Sequence, residues 1–234
     1  MSRIPIQKTD ILHCLNRGVL KQNIFESDAD RWHFLEVLRY KNHDANIQFW
    51  QNDIYPIAEG HDLLWPKVWD AQDPLVRIDA YILMDNHYHL ILTEIRENGI
   101  SAFMKKLSNT YTGYYQNKYN WEERLFTGTY KSVHVLSNHQ LRKLFVYVLI
   151  KNSFERHPEG MEWAIDNFDK AFDWSRRYSF SSIGEVTEDR KPFISSNKLF
   201  SEIFESAQGF KQFSHEQMKR YQVFLQEVDN VNLE

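Results

Sequence analysis

Cysteine is nearly absent from this chain of 234 residues: Cys14 stands alone, so neither an internal disulfide nor a thiolate-rich metal site can form. So thiol-poor a chain suits a reducing compartment, and a cytoplasmic location is expected. Glycine and proline are scarce as well, at 8 and 6 positions, which argues against a long flexible linker or a low-complexity segment. No apolar run approaches the roughly 20 residues that a membrane-spanning helix needs. The opening residues include Asp10 and lack the sustained apolar stretch of a signal peptide. Neither a GxGxxG fingerprint nor a Walker-type phosphate loop is present, so nucleotide-driven chemistry is not expected. Positive charge is not in excess either. Lys and Arg number 28 against 32 Asp and Glu, a formal charge of -4, which argues against indiscriminate binding of nucleic acid.

What the chain does have is apolar material, 42% hydrophobic and 15% aromatic, enough for one or two cored domains. Its charge is unevenly placed. Residues 1 to 42 carry +2, 43 to 80 carry -5, 81 to 102 carry -2, 103 to 156 carry +6 and 157 to 234 carry -5. A basic segment between acidic flanks can focus a polyanion on one region, or simply be a solvated helical face.

Asp10 to Leu15 reads as a strand, and Gly18 after it permits a turn or a close backbone approach. Apolar spacing over 29 to 41 predicts an amphipathic helix. Residues 43 to 76 carry Pro56, Gly60, Pro66 and Pro74 between apolar pieces and read as a variable excursion. Two strands joined by a sharp connection are expected at Val76 to Leu83 and His87 to Leu92. A basic, tyrosine-rich helix follows over 101 to 119, then an extended stretch around Gly128 and a helix over 139 to 156. Pro158 and Gly160 close that helix. Beyond them lies an acidic extension, 158 to 234, with helices expected at 197 to 208 and 214 to 228 on either side of Gly209.

The chemistry concentrates at His87 and His89. In an extended segment, residues two apart share a face, so the imidazoles point one way while Tyr88 and Leu90 point the other. Two neutral imidazoles begin a divalent metal site, and a carboxylate or amide from elsewhere would complete it. The bare pattern is equally compatible with two structural histidines.

The surrounding residues narrow the choice. The segment from Met84 to Leu92, MDNHYHLIL, resembles the metal-binding HUH strand of the IS200-like (Y1) transposase superfamily, especially its REP-associated tyrosine transposase branch. Upstream, His13 to Gly18 and Asn23 to Phe25 resemble that family's opening strand and loop. Downstream, Leu125 to Ser132 resembles the stretch before its nucleophile-bearing helix. The likeness spans residues 10 to 157 with an expanded 43 to 76. It implies an α/β (α+β) fold, a compact antiparallel sheet with covering helices in the ferredoxin-like HUH endonuclease architecture, filling 1 to 157 with 158 to 234 as a helical extension.

It also implies a metal-dependent single-stranded DNA endonuclease and transposase. Tyr147 would be the nucleophile, leaving a 5'-phosphotyrosine and a free 3'-hydroxyl, with His87 and His89 binding Mg2+ or Mn2+. The family's third ligand stands four positions after the tyrosine, often as asparagine. Here that position is Lys151, while Asn152 stands at plus five and needs a local irregularity of the helix to take the role. Aligning Asn152 conventionally would put Val148 at the nucleophile position. Thr129 also replaces a commonly basic residue. The implied partner is single-stranded or hairpin DNA, with monomer and homodimer both open. Arg17, Lys105, Lys106, Lys131, Arg142, Lys143 and Lys151 are candidate DNA contacts, and Tyr111, Tyr114, Tyr115 and Tyr119 either stack on bases or pack inward. His13 either orients substrate or sits in the central layer. Asp85 and Asn86 are expected to shape the approach to the histidine strand, and Trp163 and Trp174 to pack. A relative that keeps the fold and DNA binding but has weakened cleavage, and an unrelated metal hydrolase, are the competing readings.

Overall fold

The computed structural model describes residues 6–43, 50–54 and 63–231. Four strands, β1 (Ile11–Arg17), β2 (Val76–Leu83), β3 (His87–Glu94) and β4 (Lys131–His134), form one antiparallel sheet in the order β2-β3-β1-β4. Helix α1 (Asp28–Tyr40) connects β1 to β2 and α3 (Gly99–Tyr119) connects β3 to β4, with the short α2 (Gln51–Ile54) in the excursion. This is the βαββαβ succession of a ferredoxin-like sheet, as the resemblance implied. Part of the excursion, residues 44–49 and 55–62, falls outside the described residues.

Alternation along the strands separates two cores. Leu12, Cys14, Tyr88, Leu90 and Leu92 pack against Phe34 of α1 and Phe103, Leu107 and Tyr111 of α3. The opposite face, with Ala80, Ile82 and Ile91, packs against a helix that begins as α4 (Asn138–Val146) and ends as α5 (Asn152–Glu155). Both faces are covered, which is why β2 and β3 are almost continuously buried.

The expected single helix over 139 to 156 is interrupted. Tyr147–Lys151 form a π turn, in which the Asn152 amide donates to the Tyr147 carbonyl five residues back. A run of β-branched and bulky residues, Val146, Val148 and Ile150, lowers the cost of leaving the α ladder there.

The extension packs on this helix. It contains α6 (Gly160–Asp166), α7 (Phe168–Arg177), α8 (Ile183–Val186), α9 (Lys198–Ile203) and α10 (Ala207–Val231). Phe168, Phe172, Phe200, Phe204 and Phe210 share one core with Phe145, Leu149 and Phe154. The last helical break differs from expectation: it falls at 204–206, and α10 runs through Gly209, where a Cβ would meet only the Ser206 hydroxyl at 3.5 Å. The extension also caps the outer edge of β2. The Leu83 amide donates to the Phe180 carbonyl at 2.9 Å, the Ser182 amide to Tyr81 at 2.9 Å and the Ser196 amide to Ile78 at 2.8 Å. Buried Glu185 accepts from the Tyr81 hydroxyl at 2.6 Å and from the Ser195 amide at 2.9 Å.

Candidate functional site

The site lies where β1, β3 and the π turn meet. Register pairs Arg17 with His87, Leu15 with His89 and His13 with Ile91, so His13, Arg17, His87 and His89 project to one face. The turn before β3 is pinned by backbone contacts. Gly18 donates its amide to the Asn86 carbonyl at 2.9 Å, and a Cβ at Gly18 would lie 2.2 Å from the Gln22 carbonyl oxygen. Its φ is negative, so close approach and not a left-handed turn demands this glycine.

The imidazoles form a connected set. His87 and His89 have ring centroids 5.0 Å apart, and His13 stacks on His89 at 5.0 Å with Nε2 at 2.9 Å from His89 Nδ1. One of those two nitrogens must carry the proton and the other accept it. His87 Nδ1 lies 2.6 Å from Asn86 Oδ1, an acceptor that holds the ring proton there and leaves Nε2 as a lone pair. Burial disfavours the charged form of all three rings. It lowers the pKa of His13 to about 4. His87 is also lowered to about 4, by burial and then by the charges of Arg17 and Lys151. For His89, burial, the neighbouring His13 and His87, and Lys151 and Arg17 bring the value to about 2. All three are neutral near pH 7, the form that binds metal.

Tyr147 stands over this group. Its ring centroid is 5.4 Å from that of His89 and 5.9 Å from that of His13, and at 39% exposure it is open to solvent. Lys151 Nζ lies 5.4 Å from the Tyr147 ring centroid and pairs with Glu155. The π turn brings Asn152 into phase with Tyr147, since five residues complete one turn there where four do in an α-helix. Asn152 is 1% exposed, and neither its Oδ1 nor its Nδ2 has a hydrogen-bond partner among the described residues; the same holds for His89 Nε2. An unpaired buried polar group costs roughly 1–3 kcal/mol; of these three atoms Asn152 Oδ1 and His89 Nε2 can offer a lone pair to a cation, whereas Asn152 Nδ2 can only donate a hydrogen bond. Among the described residues no group of three His, Cys, Asp or Glu is arranged to hold a metal. Of the donors of other types near the turn, the Asn152 side chain offers a carbonyl oxygen, a ligand type that suits hard divalent cations such as Mg2+ or Mn2+.

The candidate DNA contacts divide between the two sides of the sheet. Arg17 is exposed beside His87, Lys131 pairs with Leu15 in register on the histidine face, and Lys143 is exposed one helical turn before Tyr147. Lys151 joins the site as described. Lys105 and Lys106 do not: α3 covers the opposite face, where Lys106 donates to the His43 carbonyl at 2.6 Å. Arg142 is also directed elsewhere, 5.3 Å from the Phe204 ring centroid and 4.5 Å from that of Phe213. The α3 tyrosines are held within the protein instead of being offered for stacking. Tyr111 donates to the Ile24 carbonyl at 2.5 Å, Tyr114 and Tyr119 to Asp30 at 2.9 and 2.8 Å, and Tyr115 to Glu26 at 3.1 Å. Trp163 and Trp174 are half-buried around His157.

Sequence reasoning did not single out Arg156, which donates to Asp85 at 2.5 Å and ties the end of the tyrosine helix to the turn before β3. Arg31 binds the same carboxylate. Spacing four residues after Asn152 was the available signal, but the partner is distant in sequence.

No protein-family model matches this chain, and no curated protein sequence does. Among solved structures it is similar to a REP-associated tyrosine transposase bound to a REP hairpin, at 9% identity and a TM-score of 0.45, over 84% of this chain and 90% of that one.

Proposed function

We propose that this protein is a metal-dependent single-stranded DNA endonuclease with strand-transfer capacity, a transposase in which Tyr147 is the nucleophile. The observation that carries the reading is the Tyr147 ring beside His89 and His13, with the buried, unpartnered Asn152 closing the π turn that begins at Tyr147. His87, His89 and Asn152 would hold Mg2+ or Mn2+, which when bound supplies a positive charge to a non-bridging phosphate oxygen.

Tyr147 Oη attacks the scissile phosphorus, its proton leaving to solvent. The phosphorus–oxygen bond to the 3' side breaks, and that oxygen takes a proton from water to become a 3'-hydroxyl. A 5'-phosphotyrosine remains, one phosphodiester replacing another, so a second 3'-hydroxyl can reverse the step without ATP. Lys151, beside the ring, would put a positive charge near the phosphate that Tyr147 attacks. Arg17 and Lys131 stand where they can hold the flanking phosphates of a strand laid along the histidine face.

Labelled single-stranded and hairpin oligonucleotides incubated with Mg2+ or Mn2+ are expected to yield a covalent protein–DNA adduct on a denaturing gel, and Tyr147→Phe to yield none. Absence of an adduct with wild-type protein across a broad panel, with DNA binding retained, would instead favour a DNA-binding relative that has lost cleavage. Turnover surviving in Tyr147→Phe would favour a metal hydrolase.

A further inference from the structure

A second feature lies one helical turn beyond Asn152. A cleft of about 380 Å³ is walled by Asp28, Arg156, Trp174, Arg177, Tyr178 and Phe180, drawn from the start of α1, the end of α5, α7 and the link that follows it. Its volume falls in the range of small-ligand sites, roughly 300–1,000 Å³. Three contacts fasten it to the turn that precedes the histidine strand. Arg156 donates to Asp85, two residues before His87, the Tyr178 hydroxyl donates to the Leu83 carbonyl at 3.1 Å, and the Leu83 amide donates to Phe180.

The wall has the chemistry of a nucleotide. Trp174 and Tyr178 lie nearly parallel, 14° apart with centroids separated by 5.5 Å, and both are half-buried. The Arg156 guanidinium sits 5.6 Å from the Tyr178 ring centroid, and its Nε is buried without a hydrogen-bond partner. Arg177 is exposed and makes no ion pair among the described residues. Two guanidinium groups suit phosphate oxygens, and aromatic rings suit the face of a base of any sequence. Asp28, exposed at the rim, accepts from Arg31 at 3.0 Å through Oδ1 and keeps Oδ2 for an exocyclic amine. Phe168 and Phe172, on the other side of α7, are buried in the core, whereas Trp174 is only half-buried and Arg177 is exposed.

We propose that this cleft seats one unpaired nucleotide of the DNA strand flanking the cleaved phosphate, its base against Trp174 and its phosphate between Arg156 and Arg177. The inference rests on the DNA endonuclease reading above and extends it to the C-terminal extension, which supplies most of the wall.

The test compares fluorescein-labelled DNA hairpins carrying single-stranded flanks with the same hairpins cut flush, by anisotropy at fixed salt. Wild-type protein is expected to prefer the flanked form. Arg177→Glu and Trp174→Ala each should erase most of that preference, by about tenfold in affinity for a single stacked base, while Trp174→Phe retains it. Arg177 is exposed, so its variant does not depend on repacking, and thermal melts check the tryptophan variants. Unchanged preference in folded Arg177→Glu and Trp174→Ala, or no preference in wild type, overturns the cleft and leaves the endonuclease reading standing. If wild-type protein binds neither form, both fall together.

Discussion

Asp30 accepts hydrogen bonds from the amides of Glu26 and Ser27, the Tyr114 and Tyr119 hydroxyls and the Lys118 ammonium, and so joins the start of α1 to α3. Burial pushes its carboxyl up, but the donors from Lys118, Tyr119, Tyr114 and Ser27 together outweigh it and hold the pKa at about 2, below the ordinary 3.8. A carboxyl depressed on folding contributes stability above its unfolded value that is lost as pH falls through its folded one. Wild-type stability should therefore drop between about pH 4 and pH 2, and Asp30→Asn should lack that share of the drop and unfold more easily at pH 7, by on the order of 2 kcal/mol. Urea melts at stepped pH would show it; identical midpoints for both proteins at pH 7 would contradict it. The residue scale is also where the sequence is most legible for the site. Alternation alone places His87 and His89 on one face and Tyr88 and Leu90 on the other, because a strand offers no other choice. The tyrosines of α3 were not legible, since a hydroxyl that binds Asp30 and one that waits for a base look alike until the partner helix is in place.

At the scale of elements, the π turn decides which side chain accompanies Tyr147. Asn152→Ala should weaken Mn2+ binding by at least about tenfold, read by electron paramagnetic resonance or calorimetry, because second contacts around metals already count for that much. Adding Lys151→Asn to that variant should not restore binding, since the side chain at 151 lies over the Tyr147 ring and toward Glu155 and not in the buried place of Asn152. Recovery in the double variant would mean that the segment winds as an ordinary α-helix in solution. The sequence marked this place only as a misfit, with the expected ligand one residue late. Helical periodicity shows that a ligand is displaced, whereas the extra residue in the turn is a property of the backbone. The hairpin of β2 and β3, by contrast, is largely legible: both strands stand where expected around Met84 to Asn86, although β3 runs on from Leu92 to Glu94 and the bulge between Ile78 and Ala80 leaves no mark in the sequence.

On the whole-molecule scale, the -4 chain with its +6 segment does not present one basic patch, because the sheet divides it. Lys105 and Lys106 lie on the α1 and α3 side, while Lys143 and Lys151 lie with the histidines. Segment charge cannot reveal this, since consecutive elements pass to opposite faces of the sheet. The extension was equally opaque: its aromatic positions were visible, but not that they share a core with the tyrosine helix. A chain ended at residue 157 would expose Phe145, Leu149 and Phe154 and leave the edge of β2 unpaired, conditions that favour aggregation. It is expected to be insoluble or to lose cooperative unfolding, as calorimetry would register, and a soluble fragment melting as sharply as the full chain would refute this. The shared core has a further consequence in time. A ribosome finishes the sheet, both histidines and Tyr147 well before it reaches Phe200, Phe204 and Phe210, so the growing chain carries every reactive group with no firm seat for the helix that aims them. Under the proposed activity, the face that bears the histidines and Tyr147 is expected to become ordered only once those phenylalanines have emerged.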